Sequence, residues 1–155
     1  RQRQMCIRDR SCSVPLITKI QHYMGYDLLD GGISDPIPIE KSLADGNTFH
    51  VIVLTRNKGY QKEPFGHTAF LKAAFRKYPA VAEAMRTRHE IYNRQLALCE
   101  KLEKAGRAVI IRPLKPLNVS RTKAEVPALL ALHDEGLYEG RAALGSIKEM
   151  LSIKL

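Results

Sequence analysis

Two runs of aliphatic side chains mark the middle of the chain, F-H-V-I-V-L-T at residues 49–55 and R-A-V-I-I-R at residues 107–112. A strand with one wet face alternates apolar and polar residues, whereas continuous apolar strands belong to sheets covered on both faces, which are mostly parallel. Between the two runs the pattern turns helical. Phe70, Leu71, Ala74 and Phe75 predict a helix over 68–77 that stops at Tyr78-Pro79. Pro79 suits the opening turn of a second helix running to about Lys104, with Ile91, Leu98 and Leu102 on its apolar stripe and Gly106 past its end. Strand, helices, strand is a crossover unit, so the two strands are expected side by side and parallel.

The flanks are less regular. Residues 11–15 read as loop, followed by an amphipathic stretch to Tyr26 and a short strand ending near Leu29, where Asp30-Gly31-Gly32 breaks it. Pro36 and Pro38 make 33–39 an extended loop, and a short helix is expected over 40–45 before Gly46-Asn47. After Asn118 the pattern gives a loop, a helix from about 123 to 135, a break at Gly136 and a last helix from 138 to about 151. The fold class is therefore α/β, a small and mainly parallel sheet flanked by helices. Two or three strands are too few for a complete doubly wound sheet, so part of the sheet is expected to lie outside this sequence.

Composition narrows the class without naming a function. At 45% hydrophobic and 26% charged residues the chain is ordinary globular material, neither disordered nor low-complexity. No apolar run approaches the roughly 20 residues of a membrane-spanning helix. Cys6, Cys12 and Cys99 are odd in number and lack C-x-x-C spacing, so neither a disulfide framework nor a zinc knuckle is indicated and a reducing, cytoplasmic setting is the default. The net charge is +9, but residues 1–10 (R-Q-R-Q-M-C-I-R-D-R) hold four Arg against one Asp and leave +6 for the rest. That decapeptide resembles translated sequencing-adapter read-through and is set aside as non-native. With no initiator Met and no signal-peptide core, the sequence reads as a truncated chain. The Lys and Arg of 76–104 are interleaved with Glu83, Glu90, Glu100 and Glu103, the pattern of a solvated helix face with local ion pairs, so no nucleic-acid partner is expected.

Most catalytic patterns are missing. His22, His50, His67, His89 and His133 contain no pair at H-x-x-x-H spacing, and neither a Walker loop nor G-x-G-x-x-G occurs, so no metal or cofactor is expected. Cys99, mid-helix, reads as core instead of nucleophile. Asp30 is the candidate that remains. It sits at a predicted strand end before two glycines, and open α/β sheets place their sites at that edge. A carboxylate there can act as general base. The same tripeptide also makes an ordinary turn whose carboxylate bonds its own backbone.

The surroundings of Asp30 resemble a known family. Y-D-L-L-D-G-G-I-S-D-P-I-P-I-E-K-S (26–42), preceded by S-C-S-V-P-L (11–16), is similar to the second catalytic block of patatin-like phospholipases, in a bacterial branch with a helical C-terminal extension. The likeness continues through F-H-V-I-V-L-T-R-N-K-G-Y (49–60), R-H-E-I-Y-N (88–93), I-I-R-P-L-K-P-L-N-V-S-R (110–121) and L-H-D-E-G-L-Y-E-G (132–140). It implies a three-layer α/β/α hydrolase domain ending near residue 121, a helical extension over 122–155, and lipid or acyl ester as substrate. In that family a serine in G-x-S-x-G attacks the ester, an aspartate in D-G-G is its only partner, and a Gly-rich loop supplies the oxyanion donors. Carried over by position, Asp30 is the dyad base and Gly31 and Gly32 form its turn. The nucleophile block is absent, since Gly32-Ile33-Ser34-Asp35-Pro36 ends in Pro where a strained elbow needs Gly. The sequence by itself is therefore expected to be inactive. A different reading takes 66–155 as a helical interaction or regulatory module. The residual +6 further suggests peripheral contact with anionic bilayers, at about 1 kcal/mol for each Lys or Arg near the surface.

Overall fold

The computed structural model describes residues 11–116 and 125–152. The expectations placed on 1–10, on the chain near 117–124 and on 153–155 fall outside the described residues. Two compact units are formed, one from the residues up to Pro38 together with Lys62–Arg94, the other from Ile39–Gln61 together with the residues from Gln95 onward.

In the first unit, β1 (Gln21–Tyr23) and β2 (Tyr26–Leu28) pair antiparallel, with Tyr23 opposite Tyr26. The amphipathic stretch expected here is thus a hairpin. Its two-residue loop, Met24-Gly25, has both residues at positive φ (48° and 80°), the requirement of a turn whose twist matches that of the strands. Met is an unusual residue for that role, which is why the sequence hides the hairpin. A 3₁₀ turn, Gly31–Ile33, follows Asp30. The loop expected over 33–39 shares only Ile33 with this turn and Ile39 with the next helix, and it buries Ile33 and Ile37. α2 (Thr68–Ala74), three elements later in the chain, ends three residues earlier than its apolar spacing suggested. Leu71, Phe75 and Ala82 form a core cluster flanked by Phe65, Tyr78, Val81 and Met85.

The second unit opens with α1 (Ile39–Ala44) and carries the parallel pair expected from the two apolar runs, β3 (His50–Val53) and β4 (Ala108–Ile111), in register from His50 opposite Ala108 to Val53 opposite Ile111. β3 is not covered on both faces. His50 and Ile52 are buried while Val51 and Val53 stand 49% and 70% exposed, so the continuous apolar run marks one covered face and one open one. α3 (Pro79–Lys104) has the bounds that Pro79 and Gly106 set. Its buried line in this unit is Leu96, Cys99 and Leu102, with Gln95 beside it, whereas Ile91 and Leu98 are half-buried. Arg112, its side chain 11% exposed, holds both Glu100 (2.9 Å) and Glu103 (3.3 Å), and Arg86 pairs with Glu83 one turn away (2.6 Å). The Glu83–Arg86 pair, on the part of α3 that belongs to the first unit, is a local pair of the kind the interleaved charges predicted, whereas Glu100 and Glu103 bind an arginine beyond the helix.

The last helix, α4, runs unbroken over Val126–Ser152 and lies along β4. Gly136 does not split it. A single interior Gly costs a helix only about 1 kcal/mol relative to Ala, less than the packing of a long helix supplies. No helix among the described residues is long and apolar enough to cross a membrane.

Candidate functional site

Asp30 lies two residues past β2, a hairpin strand, and not at the end of a strand in the parallel pair. The sheet-edge argument for it therefore falls away, and its local geometry has to stand alone. Asp30 caps the 3₁₀ turn with φ −57° and ψ 124°. Its Oδ1 accepts the Gly32 N–H at 2.7 Å, and its carbonyl accepts the Ile33 N–H at 3.1 Å. Its own N–H donates to the Ser13 carbonyl at 2.9 Å, which brings the S-C-S-V-P-L segment against the Asp-Gly-Gly turn. Two of the sequence blocks that carried the family resemblance are thus in contact. Asp30 is half-buried.

Gly32 sits where side chains crowd its backbone. A Cβ at that position would lie 2.9 Å from Asp30 Oδ1 and 3.3 Å from Arg88 Nη2. Arg88, on α3, donates from Nε to the Gly32 carbonyl at 2.5 Å, so the guanidinium and the Asp30 carboxylate flank one point in the turn. Its contact spans 56 residues of sequence, and a single sequence gives no signal for such a pairing. Asn93 on this helix and Tyr78 just before it tie down two more segments. Tyr78, just before α3, donates its hydroxyl to Asp27 Oδ2 (2.8 Å), and Asn93 bonds both the N–H and the carbonyl of Lys62 (2.8 and 3.1 Å). The Tyr78 and His22 hydrogen bonds hold the Asp27 carboxyl below the usual carboxylate range. Chemically, the turn offers a carboxylate anchored by one oxygen on a rigid backbone, the form of a fixed proton acceptor.

A serine and a histidine that sequence reasoning did not link meet in the second unit. Ser42 Oγ and His50 Nδ1 are 3.2 Å apart, and Asn47 Nδ2 donates to Ser42 Oγ at 3.3 Å. The direction of the Ser42–His50 bond follows from which ring nitrogen carries the proton, and the other ring nitrogen is Nε2. That atom is buried and has no partner among the described residues. No carboxylate therefore orients the ring, and the pair lacks the third member that activates a Ser-His couple. Its role is to fasten α1 to β3. Burial first, and then the charge of Arg107, push the His50 pKa below its ordinary 6.5. Below pH ~6.5 the unfolded chain then binds the proton more readily than the folded one, so stability should fall as the pH drops through that value toward the lower folded pKa. His50→Asn keeps an acceptor near the Nδ1 position and does not titrate. Urea midpoints measured from pH 7.5 to 5 should slope less in this variant, and an unchanged slope would assign the acid sensitivity elsewhere.

Cys99 is fully buried, and burial pushes its thiol up to about 11, so it is core material as its helical position suggested. Among the described residues no cluster of His, Cys, Asp or Glu could hold a metal ion.

Compared with known families, residues 78–152 match a family model described as a domain of unknown function, DUF6363. The match opens one residue before α3 and closes on the last residue of α4, a little less than half of the chain. No curated protein and no solved structure matches the chain.

Proposed function

We propose that the chain is the C-terminal portion of a patatin-like serine acyl hydrolase acting on lipid or other acyl esters, with Asp30 as the base of a Ser-Asp dyad whose serine lies in sequence outside this chain. The observation that carries the reading is the Asp-Gly-Gly turn, where a half-buried carboxylate has Oδ1 fixed by the Gly32 N–H. Oδ2 is then the oxygen that receives the serine proton as Oγ attacks the ester carbonyl, and it returns that proton to the departing alcohol. A carboxylate is a weak base toward a serine hydroxyl. The rate must therefore come from holding the carboxylate within hydrogen-bond reach of the hydroxyl, and from backbone donors that stabilise the oxyanion. Gly32 permits the close approach, and Arg88 is a positioning residue that holds the turn through the Gly32 carbonyl.

Two further features support the reading. Val51 and Val53 project from the open face of β3, where a three-layer α/β/α domain would place further structure. Leu16, Ile17, Met24 and Tyr26, in the same unit as Asp30, are exposed apolar residues suited to a lipid surface, in keeping with a cytoplasmic protein that touches the membrane peripherally. The test is hydrolysis of a p-nitrophenyl ester by the intact protein. Turnover that survives removal of the Asp30 charge would overturn the reading.

A further inference from the structure

α4 carries a second apolar face. Its inner face, with Leu132, Ala143 and Met150, is turned toward β4 or buried. On the opposite side Leu130, Leu137, Leu144 and Leu151 recur every seventh residue, each between 46% and 58% exposed. The positions four before each of them, Val126, His133, Gly140 and Ile147, complete an unbroken alternation of three and four residues from one end of the helix to the other. That spacing is the seam of a two-helix coiled coil, and here it runs for about 40 Å of helix.

The rows beside the seam select the occupant and its direction. On one side Leu129 is exposed near the start of the helix, Gly136 and Ala143 line clefts against β4 and its flanks, and Met150 is buried. On the other side Asp134, Arg141 and Lys148 are exposed. A parallel partner would set this charged row against the uncharged row of Leu129, Gly136, Ala143 and Met150, whose later half is turned toward β4 or buried. An antiparallel second copy sets the charged row against itself. With seam layers matched about the helix midpoint, Leu137 enters the gap at the partner's Gly140 and Leu130 meets the partner's Ile147. The same register places Leu144 on the partner's His133 and Leu151 on the partner's Val126. Asp134 then faces the partner's Arg141, and the two-fold axis repeats the pair.

We propose that α4 is a homodimerisation helix that pairs antiparallel with α4 of a second copy of this chain, through the leucine seam and two Asp134–Arg141 ion pairs. The inference does not depend on the hydrolase reading. It is tested by sedimentation velocity of the full chain under reducing conditions, at concentrations from about 1 to 100 μM, with circular dichroism to confirm that each variant is folded. The expected result is a reversible dimer, and a monomer throughout that range would overturn the proposal. Leu137→Asp, which puts a charge in the central layer, should weaken dimerisation by roughly a hundredfold or more. Asp134→Arg and Arg141→Asp should each weaken it by about tenfold, and the double reversal should restore it. A dimer indifferent to Leu137→Asp uses another face. Single reversals without effect, or a double reversal without rescue, would rule out the antiparallel register.

Discussion

Asp30→Asn in the intact protein is expected to lower ester hydrolysis by roughly a hundredfold or more, the scale of a general base, while leaving the melting temperature nearly unchanged. The asparagine retains an oxygen at Oδ1, so the 2.7 Å bond from Gly32 N–H and the turn it closes remain. Only the charge and the proton acceptor are lost. A nucleophile and its base act as a unit, so an essential Asp30 should appear mainly in kcat, whereas a merely structural turn residue should appear in stability. Gly32→Ala approaches the same point by geometry. Its Cβ would fall 2.9 Å from Asp30 Oδ1 and 3.3 Å from Arg88 Nη2, so the carboxylate must move although its charge is intact. Loss of kcat in both variants, with melting preserved in Asp30→Asn alone, is the expected signature. Near-normal turnover by Asp30→Asn would leave the turn with no catalytic role.

The largest effect on stability is expected from Leu71→Ala. Leu71 is 1% exposed and packs with Phe75 and Ala82, and α2 has no other fully buried side chain of its size. Truncating a buried leucine removes its transfer free energy and leaves a cavity, at about 2–5 kcal/mol. Against a typical total of about 5–15 kcal/mol, that loss brings a small domain close to unfolding. Urea denaturation should show a midpoint lowered by a corresponding amount. A change under about 1 kcal/mol would mean that the cluster collapses around the gap or contributes little.

The parts of the fold legible in the sequence were those set by strong local chemistry. Pro79 and Gly106 bracket α3 because one residue fits only an opening turn and the other ends a helix without strain, at a φ of 67°. The two aliphatic runs gave the parallel pair, since few other structures use continuous branched residues at that spacing. What the sequence hid depends on tertiary context. The hairpin turns on Met24 at a φ of 48°, a conformation that no local rule assigns to methionine. The unbroken α4 depends on packing against β4 that outweighs the glycine penalty, and the open face of β3 depends on what lies beside the strand. The candidate site divides in the same way. Asp30, Gly31 and Gly32 were visible as a motif, but Arg88 and the Ser13 carbonyl reach the turn from distant parts of the chain and became visible only in three dimensions.

The measurement that bears most directly on the hydrolase reading is where a serine-directed fluorophosphonate probe attaches in the intact protein, mapped by peptide mass spectrometry. The expected result is a single labelled serine in a G-x-S-x-G segment outside residues 1–155, with labelling slowed in Asp30→Asn and no label on this chain. Attachment to Ser42 or any other serine of this chain, or no attachment in a protein that hydrolyses esters, would contradict it.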